Sequence, residues 1–269
     1  MSRKIVITSG KGGVGKTTVT ANLGLALASM GLLVAVIDTD FGLNNLDVVL
    51  GVENKIRYNI VDVIDGRCRL KQALVESNSR KNLFILTSGN NGFSDSVTGQ
   101  NIKLVIEKLD SIFDYVLVDC PAGLDVGFHR AVSCVNEALV VATPGMTSLR
   151  DADKVVSVLK SYCLENIGLI INRVRGDLIM SEKMMYPTDI QNLLKTDLIG
   201  VLPEEDAVFL SSGEILPKSS DSFSAYKILA TNIHKGTKKI FNTTSKYSGV
   251  FGSIRRCIKK NIWRIKKMN

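Results

Sequence analysis

The sequence predicts an α/β fold, a mostly parallel sheet with helices on both faces. Three observations predict it. Short apolar runs rich in β-branched residues recur along the chain, several without the in/out alternation of a half-exposed strand. Segments with helical periodicity lie between most of them. The first run leads through a glycine-rich stretch, SGKGGVGKTT (9–18), directly into a helical pattern.

The expected strands are Ile5–Thr8, Leu33–Ile37, Leu83–Leu86, Tyr115–Val118, Ala138–Ala142, Leu169–Ile171 and Leu198–Val201. Each is short and bounded by turn-forming residues, as in strands buried on both faces. The expected helices are Thr17–Met30, Gly99–Asp110, Val126–Cys134, Leu149–Tyr162 and Pro187–Leu194. Ser148, with Asp151 three residues later, reads as the cap of the fourth. No internal repeat interrupts the alternation, and the first linker-like composition is NTTSKYSGVFG at 242–252.

Composition bounds the function classes. With 269 residues, 45% apolar and 22% charged, the chain can bury one large α/β core. Its longest apolar run, Leu32–Ile37, is far too short to span a bilayer. Lys4 runs straight into a core strand, so no cleavable leader is expected. The five cysteines (Cys68, Cys120, Cys134, Cys163 and Cys257) are scattered without a C-x-x-C, which argues for free thiols in a reducing compartment and against a zinc site. The net charge of +8 is unevenly spread: 12 of the 34 basic residues fall in 222–269, which holds no acid, leaving 22 basic against 26 acidic residues in 1–221. A mildly acidic body thus carries a basic C-terminal segment suited to a polyanion or an anionic membrane.

Gly10, Gly15, Lys16 and Thr17 satisfy G-x-x-x-x-G-K-[ST] between a strand and a helix, the context a phosphate-binding loop needs. Backbone N–H groups of Gly10, Lys11, Gly12, Gly13, Val14, Gly15, Lys16, Thr17 and Thr18 can converge on phosphate oxygens, helped by the helix N-terminus. Lys16 can reach the terminal phosphates and the Thr17 hydroxyl can hold Mg²⁺. Asp119 ends the strand YVLVD, from which a carboxylate can hold Mg²⁺ through water. Asp38 and Asp40 end the second strand, where acids face the ligand crevice of a parallel sheet; a cap or a solvated charge remains an equal reading for Asp38. Gly89, Gly92, His129 and His234 are assigned no site.

The second lysine, Lys11, is more than the motif requires. KGGVGKTT (11–18) resembles the deviant Walker A loop of the ParA/MinD family, making the chain similar to a P-loop NTPase of the ParA/MinD (SIMIBI) type. VIDTDFGLNNLD (36–47) resembles the first switch of that family's division-site branch, and DCPAG (119–123) its second switch, with Cys120 where serine or threonine is common. SLRDAD (148–153) looks like the start of the helix that faces partner proteins. INR (171–173) and VLPEED (201–206) resemble the segments that hold adenine. The resemblance covers almost the whole chain and implies an ATPase that uses ATP and Mg²⁺ and dimerises around the nucleotide. Lys11 would reach the partner's phosphates, and Asp40 would activate the attacking water and hold Mg²⁺ through water. Asn172 would read the base edge, Arg173 would pack beside it and Pro203 would close the pocket. A MinC-like inhibitor and a MinE-like activator are the implied partners, in a bacterial cytoplasm or plastid stroma, at the inner face of the membrane.

The expected domains are an ATPase body (1–241), a flexible linker (242–250) and an amphipathic membrane-targeting helix (251–269). As a helix, the last segment aligns Phe251, Ile254, Ile258, Ile262 and Ile265 in one stripe, with Arg255, Lys259 and other basic residues around it. That is the composition of a helix lying in a membrane interface. Trp263 falls about 140° from the stripe, among the basic residues. Three function classes follow. The first is a membrane-cycling ATPase that places a division site. The second is a ParA-type DNA-partitioning ATPase, which shares the Lys11 loop but has no use for the apolar stripe. The third is an iron–sulfur carrier, which needs paired cysteines. No nucleic acid is expected.

Overall fold

A computed structural model describes residues 1–41, 44–89, 97–211, 213–249 and 252–254. Among these, the apolar runs form eight strands: β1 (Arg3–Thr8), β2 (Val34–Asp38), β3 (Val75–Glu76), β4 (Leu83–Leu86), β5 (Tyr115–Asp119), β6 (Glu137–Ala142), β7 (Asn166–Val174) and β8 (Asp197–Pro203). One sheet holds them in the order β3-β4-β2-β5-β1-β6-β7-β8. Every neighbouring pair is parallel except β3–β4 at the edge, the strand the sequence analysis does not anticipate. A two-residue strand carries no period to read.

The eleven described α-helices are α1 (Lys16–Ala28), α2 (Leu46–Leu50), α3 (Ile60–Ile64), α4 (Leu70–Ala73), α5 (Gly99–Leu109), α6 (Val126–Val132), α7 (Met146–Lys160), α8 (Gly176–Ile179), α9 (Pro187–Leu194), α10 (Asp206–Leu210) and α11 (Asp221–Lys235). All five expected helices form. The capping expectation at Ser148 is corrected: α7 begins at Met146, three residues before the expected Leu149, and the Ser148 hydroxyl accepts the Thr143 N–H from inside the first turn. Asp151 pairs instead with Lys154.

Each central strand is buried on both faces, which explains the missing alternation. Val34, Val36, Tyr115 and Leu117 join a core with α1, α2 and α11. Ala35, Ile37, Val116 and Val118 join the opposite core with α3, α5, α6, α7 and α9. The helix α11 lies in the basic C-terminal segment, so part of that segment belongs to the body. Its signals are local: the Ser220 hydroxyl accepts the Phe223 N–H, and Gly236 ends the helix at φ 66°. Ala225, Tyr226, Leu229, Ala230 and Ile233 are buried, whereas Lys227 and Lys235 face solvent.

Where a flexible linker is expected, residues 242–247 lie against the body. Asn242 Oδ1 accepts the Thr244 and Ser245 N–H groups, the 3-10 turn Ser245–Tyr247 packs on α8, and Lys246 pairs with Asp221. Ile254 is exposed. Phe251, Arg255, Ile258, Lys259, Ile262, Trp263 and Ile265 lie outside the described residues, as do Cys257, Gly92 and, in the first switch, Gly42 and Leu43.

The core role of α11 has a direct check. Leu229→Ala should cost about 2–5 kcal/mol in urea unfolding, because it removes a fully buried side chain. Lys227→Ala on the exposed face should stay within about 0.5 kcal/mol.

Candidate functional site

Strand register brings the acidic candidates to one edge. On parallel β2 and β5, Asp38 pairs with Asp119, and on β1 and β5, Ile7 pairs with Asp119. The loop after β1 therefore lies beside both carboxylates, at the carboxyl ends of the strands where parallel sheets bind ligands. Gly15 caps α1 in the left-handed region (φ 91°), and a Cβ there would lie 2.5 Å from the Asn172 amide nitrogen. Gly10 is needed for another reason: a Cβ would lie 2.4 Å from the Asp151 backbone, because the loop packs on α7. Gly12 and Gly13 face open space, and Val14 is buried.

Buried Lys16 and Asp119 and half-buried Thr17 form a cluster beside the loop. Lys16 Nζ lies 3.2 Å from Asp119 Oδ1, and Thr17 Oγ1 donates to Asp119 Oδ2 at 2.6 Å. Thr20, one turn beyond Lys16 on the same face of α1, places its hydroxyl 3.1 Å from Asp119 Oδ1. Sequence reading missed this residue, although the i+4 spacing was the signal. The hydroxyl of Thr17 and the carboxylate of Asp119 are hard oxygen donors side by side, the kind that suit Mg²⁺ shared with phosphate and water.

Asp38 is neither solvated nor a simple cap. It is buried, and its Oδ1 accepts the Asp40 N–H at 2.8 Å while Oδ2 faces the Leu46 N–H at 3.4 Å, at the start of α2. Burial, and then the neighbouring Asp119 charge, hold the Asp38 carboxyl well above the usual carboxylate range. Burial also raises Asp119, against the opposing pull of Lys16 and Thr17. Asp40, beside them, is half-buried. Lys11 is different: its side chain is exposed at the mouth of the loop, with Nζ 3.4 Å from Thr147 Oγ1 on α7.

A cavity of about 410 Å³ opens beside the loop and collects Gly15, Thr18, Asn172, Arg173 and Pro203 in its lining. The three adenine candidates thus share one space with the phosphate loop. Asn172 does more than face the cavity, since its Nδ2 donates to the Val14 carbonyl at 2.8 Å and braces the loop. Arg173 sits in the left-handed region (φ 56°) at an irregularity of β7–β8, a strained conformation for a non-glycine residue. The cavity also takes Leu25, Phe209 and Tyr226, which no short motif marks.

Cys120 and the residues assigned no site have structural surroundings. Cys120 is fully buried, and burial pushes its thiol up to about 12, so it is a packing residue without thiolate character. The ring nitrogens of His129 and His234 meet the hydroxyls of Tyr162 and Tyr115. Gly89 approaches the Asn59 side chain closely.

A family model described as the CobQ/CobB/MinD/ParA nucleotide binding domain matches residues 5–217. The chain belongs to this family. Among its members, the septum site-determining protein MinD of Synechocystis is 44% identical over 214 residues, 80% of either chain. The MinC:MinD cell division protein complex of Aquifex aeolicus contains a chain 38% identical, with a TM-score of 0.81 over 88% of this chain and 97% of that one. The septum site-determining protein MinD of Pyrococcus horikoshii, solved with Mg-ADP, is 34% identical, with a TM-score of 0.77 over 87% of this chain and 97% of that one. The sheet, the loop and the nucleotide-binding class expected from sequence therefore hold.

The buried Asp38 gives this member of the CobQ/CobB/MinD/ParA family a defined pH dependence. Unfolded, an aspartate titrates near about 3.9; folded, Asp38 titrates higher. The folded state binds the extra proton between those values, so Asp38 makes stability fall as pH rises across that interval. In metal-free, nucleotide-free protein, Asp38→Asn should flatten the decline of melting temperature from acidic to neutral pH. An unchanged slope would contradict the assignment.

Proposed function

We propose that the chain is an ATP-dependent, dimerising, membrane-cycling ATPase that helps to place the division site of a cell or plastid. The observation that carries this reading is the division of labour between two lysines on one loop. Lys16 is buried against Asp119, whereas Lys11 is exposed at the loop mouth. A buried lysine serves the phosphates of its own chain; an exposed one at the same mouth is free to serve a second copy.

The roles follow from the chemistry of the residues. Lys16 and the N–H groups of the loop hold the phosphates. Thr17, with Asp119 and Asp40 through water, would hold Mg²⁺. That ion would neutralise the charge on the terminal phosphates. Asp40 orients the attacking water, and Lys11 stabilises the charge developing on the partner's nucleotide. Asn172, Arg173 and Pro203 enclose the base. The Mg-ADP bound to the Pyrococcus relative supports this nucleotide and ion.

The C-terminal helix supplies the membrane step. Each basic residue near an anionic surface contributes about 1 kcal/mol, and the apolar stripe adds to it. One such helix binds weakly; two tethered in a dimer bind by avidity, roughly a hundredfold tighter. ATP thereby controls attachment by controlling dimerisation, and hydrolysis releases both helices to the cytoplasm or stroma. The MinC bound in the Aquifex complex supports a MinC-like inhibitor as cargo. A MinE-like activator would trigger release. The ParA-type partitioning reading is second, because the tail stripe has no role on DNA.

Co-sedimentation with anionic vesicles tests the proposal. ATP should drive the full chain onto vesicles, ADP should not, and a chain ending at Tyr247 should stay in solution with either. ATP-dependent binding to DNA without vesicle binding would instead support partitioning.

A further inference from the structure

Asp40 can serve water and metal only if its backbone is held still, since an error near 1 Å can cost on the order of a hundredfold in rate. Two groups hold it. From one side, Asp38 Oδ1 accepts the Asp40 N–H at 2.8 Å. From the other, the hydroxyl of Ser88 donates to the Asp40 carbonyl at 3.1 Å and lies 3.4 Å from Asn44 Oδ1 further along the same loop. Thr39, between them, is tied to β5: its N–H and its hydroxyl both donate to the Asp119 carbonyl, at 3.0 and 2.7 Å.

Ser88 is well placed to be the fixed point. It follows β4, whose Leu86 pairs with Ile37 of β2, so it stands next to the residues that end β2. It is fully buried, although a serine hydroxyl adds nothing to apolar packing. The preceding residue is anchored, because the Thr87 carbonyl accepts the Ile60 N–H at 2.9 Å at the start of α3. A segment anchored to α3 therefore presents a buried donor to the backbone after β2.

We propose that Ser88 is a positioning residue for hydrolysis, clamping the Asp40 peptide against Asp38. The inference rests on the reading of Asp40 given under Proposed function. Neither the phosphate-loop motif nor the switch segment 36–47 contains Ser88. It comes from a different strand end, and only the parallel pairing of β2 with β4 brings it there.

The test compares full-length wild type, Ser88→Ala and Asp40→Ala in steady-state hydrolysis of Mg-ATP, with hydrogen exchange followed across residues 38–47. Loss of one hydrogen bond predicts that Ser88→Ala lowers kcat about three- to tenfold. KM for ATP should stay within about twofold of wild type, and exchange at 38–47 should quicken. Thermal melting shows that the variant is folded. Wild-type kcat in Ser88→Ala beside an inactive Asp40→Ala would overturn the proposal alone. So would a kcat loss matched by a KM rise with unchanged exchange. Normal hydrolysis by Asp40→Ala would remove the underlying reading, and the clamp with it.

Discussion

The rest of the structure depends on the side-by-side placement of two buried carboxylates at the carboxyl edge of the sheet. Asp38 and Asp119 end neighbouring parallel strands in register, and Lys16 is the cation in contact with one of them. Two acids and one lysine in a dry setting are an incomplete charge balance, and burial beside Asp119 holds the Asp38 carboxyl well above the usual carboxylate range. A nucleotide with its metal ion changes that balance. The segments that follow β1, β2 and β5 all leave the sheet at this edge.

The same packing connects the loop to its surroundings. Gly10 against the Asp151 backbone couples the loop to α7, and Asn172 on the Val14 carbonyl couples it to the wall of the adjoining cavity. Beyond that wall, the segment 203–205 separates the cavity from the C-terminal segment: Glu205 accepts the N–H groups of Asp221 and Ser222, and Asp221 pairs with Lys246. Through Asp221, Lys246 is thus tied to the segment that borders the cavity.

Much of this was legible in the sequence because the relevant signals are short and local. The GKGGVGKTT loop, the β-branched runs and the Pro187 helix start each declare themselves within a few residues. What was illegible was set by tertiary context. Helices α2, α3, α4, α8 and α10 span too few residues to show a 3.6-residue period. The strong positive charge after residue 222 masks α11, although its Ser220 cap, buried stripe and Gly236 stop are local features of the sequence. Asp38 could be a cap or a solvated charge until its burial was seen. Ser88 carries no pattern at all, since its partner lies on the far side of a strand pairing.

The central claim is that this sheet edge is completed by a nucleotide together with its metal ion. Thermal melting of the full-length chain with ATP, in Mg²⁺ or in excess chelator, tests it most directly. At a hundredfold excess over Kd, Mg-ATP should raise the melting temperature by about 5–10 °C, and ATP in chelator clearly less. Equal shifts in the two conditions, or none in either, would contradict the account.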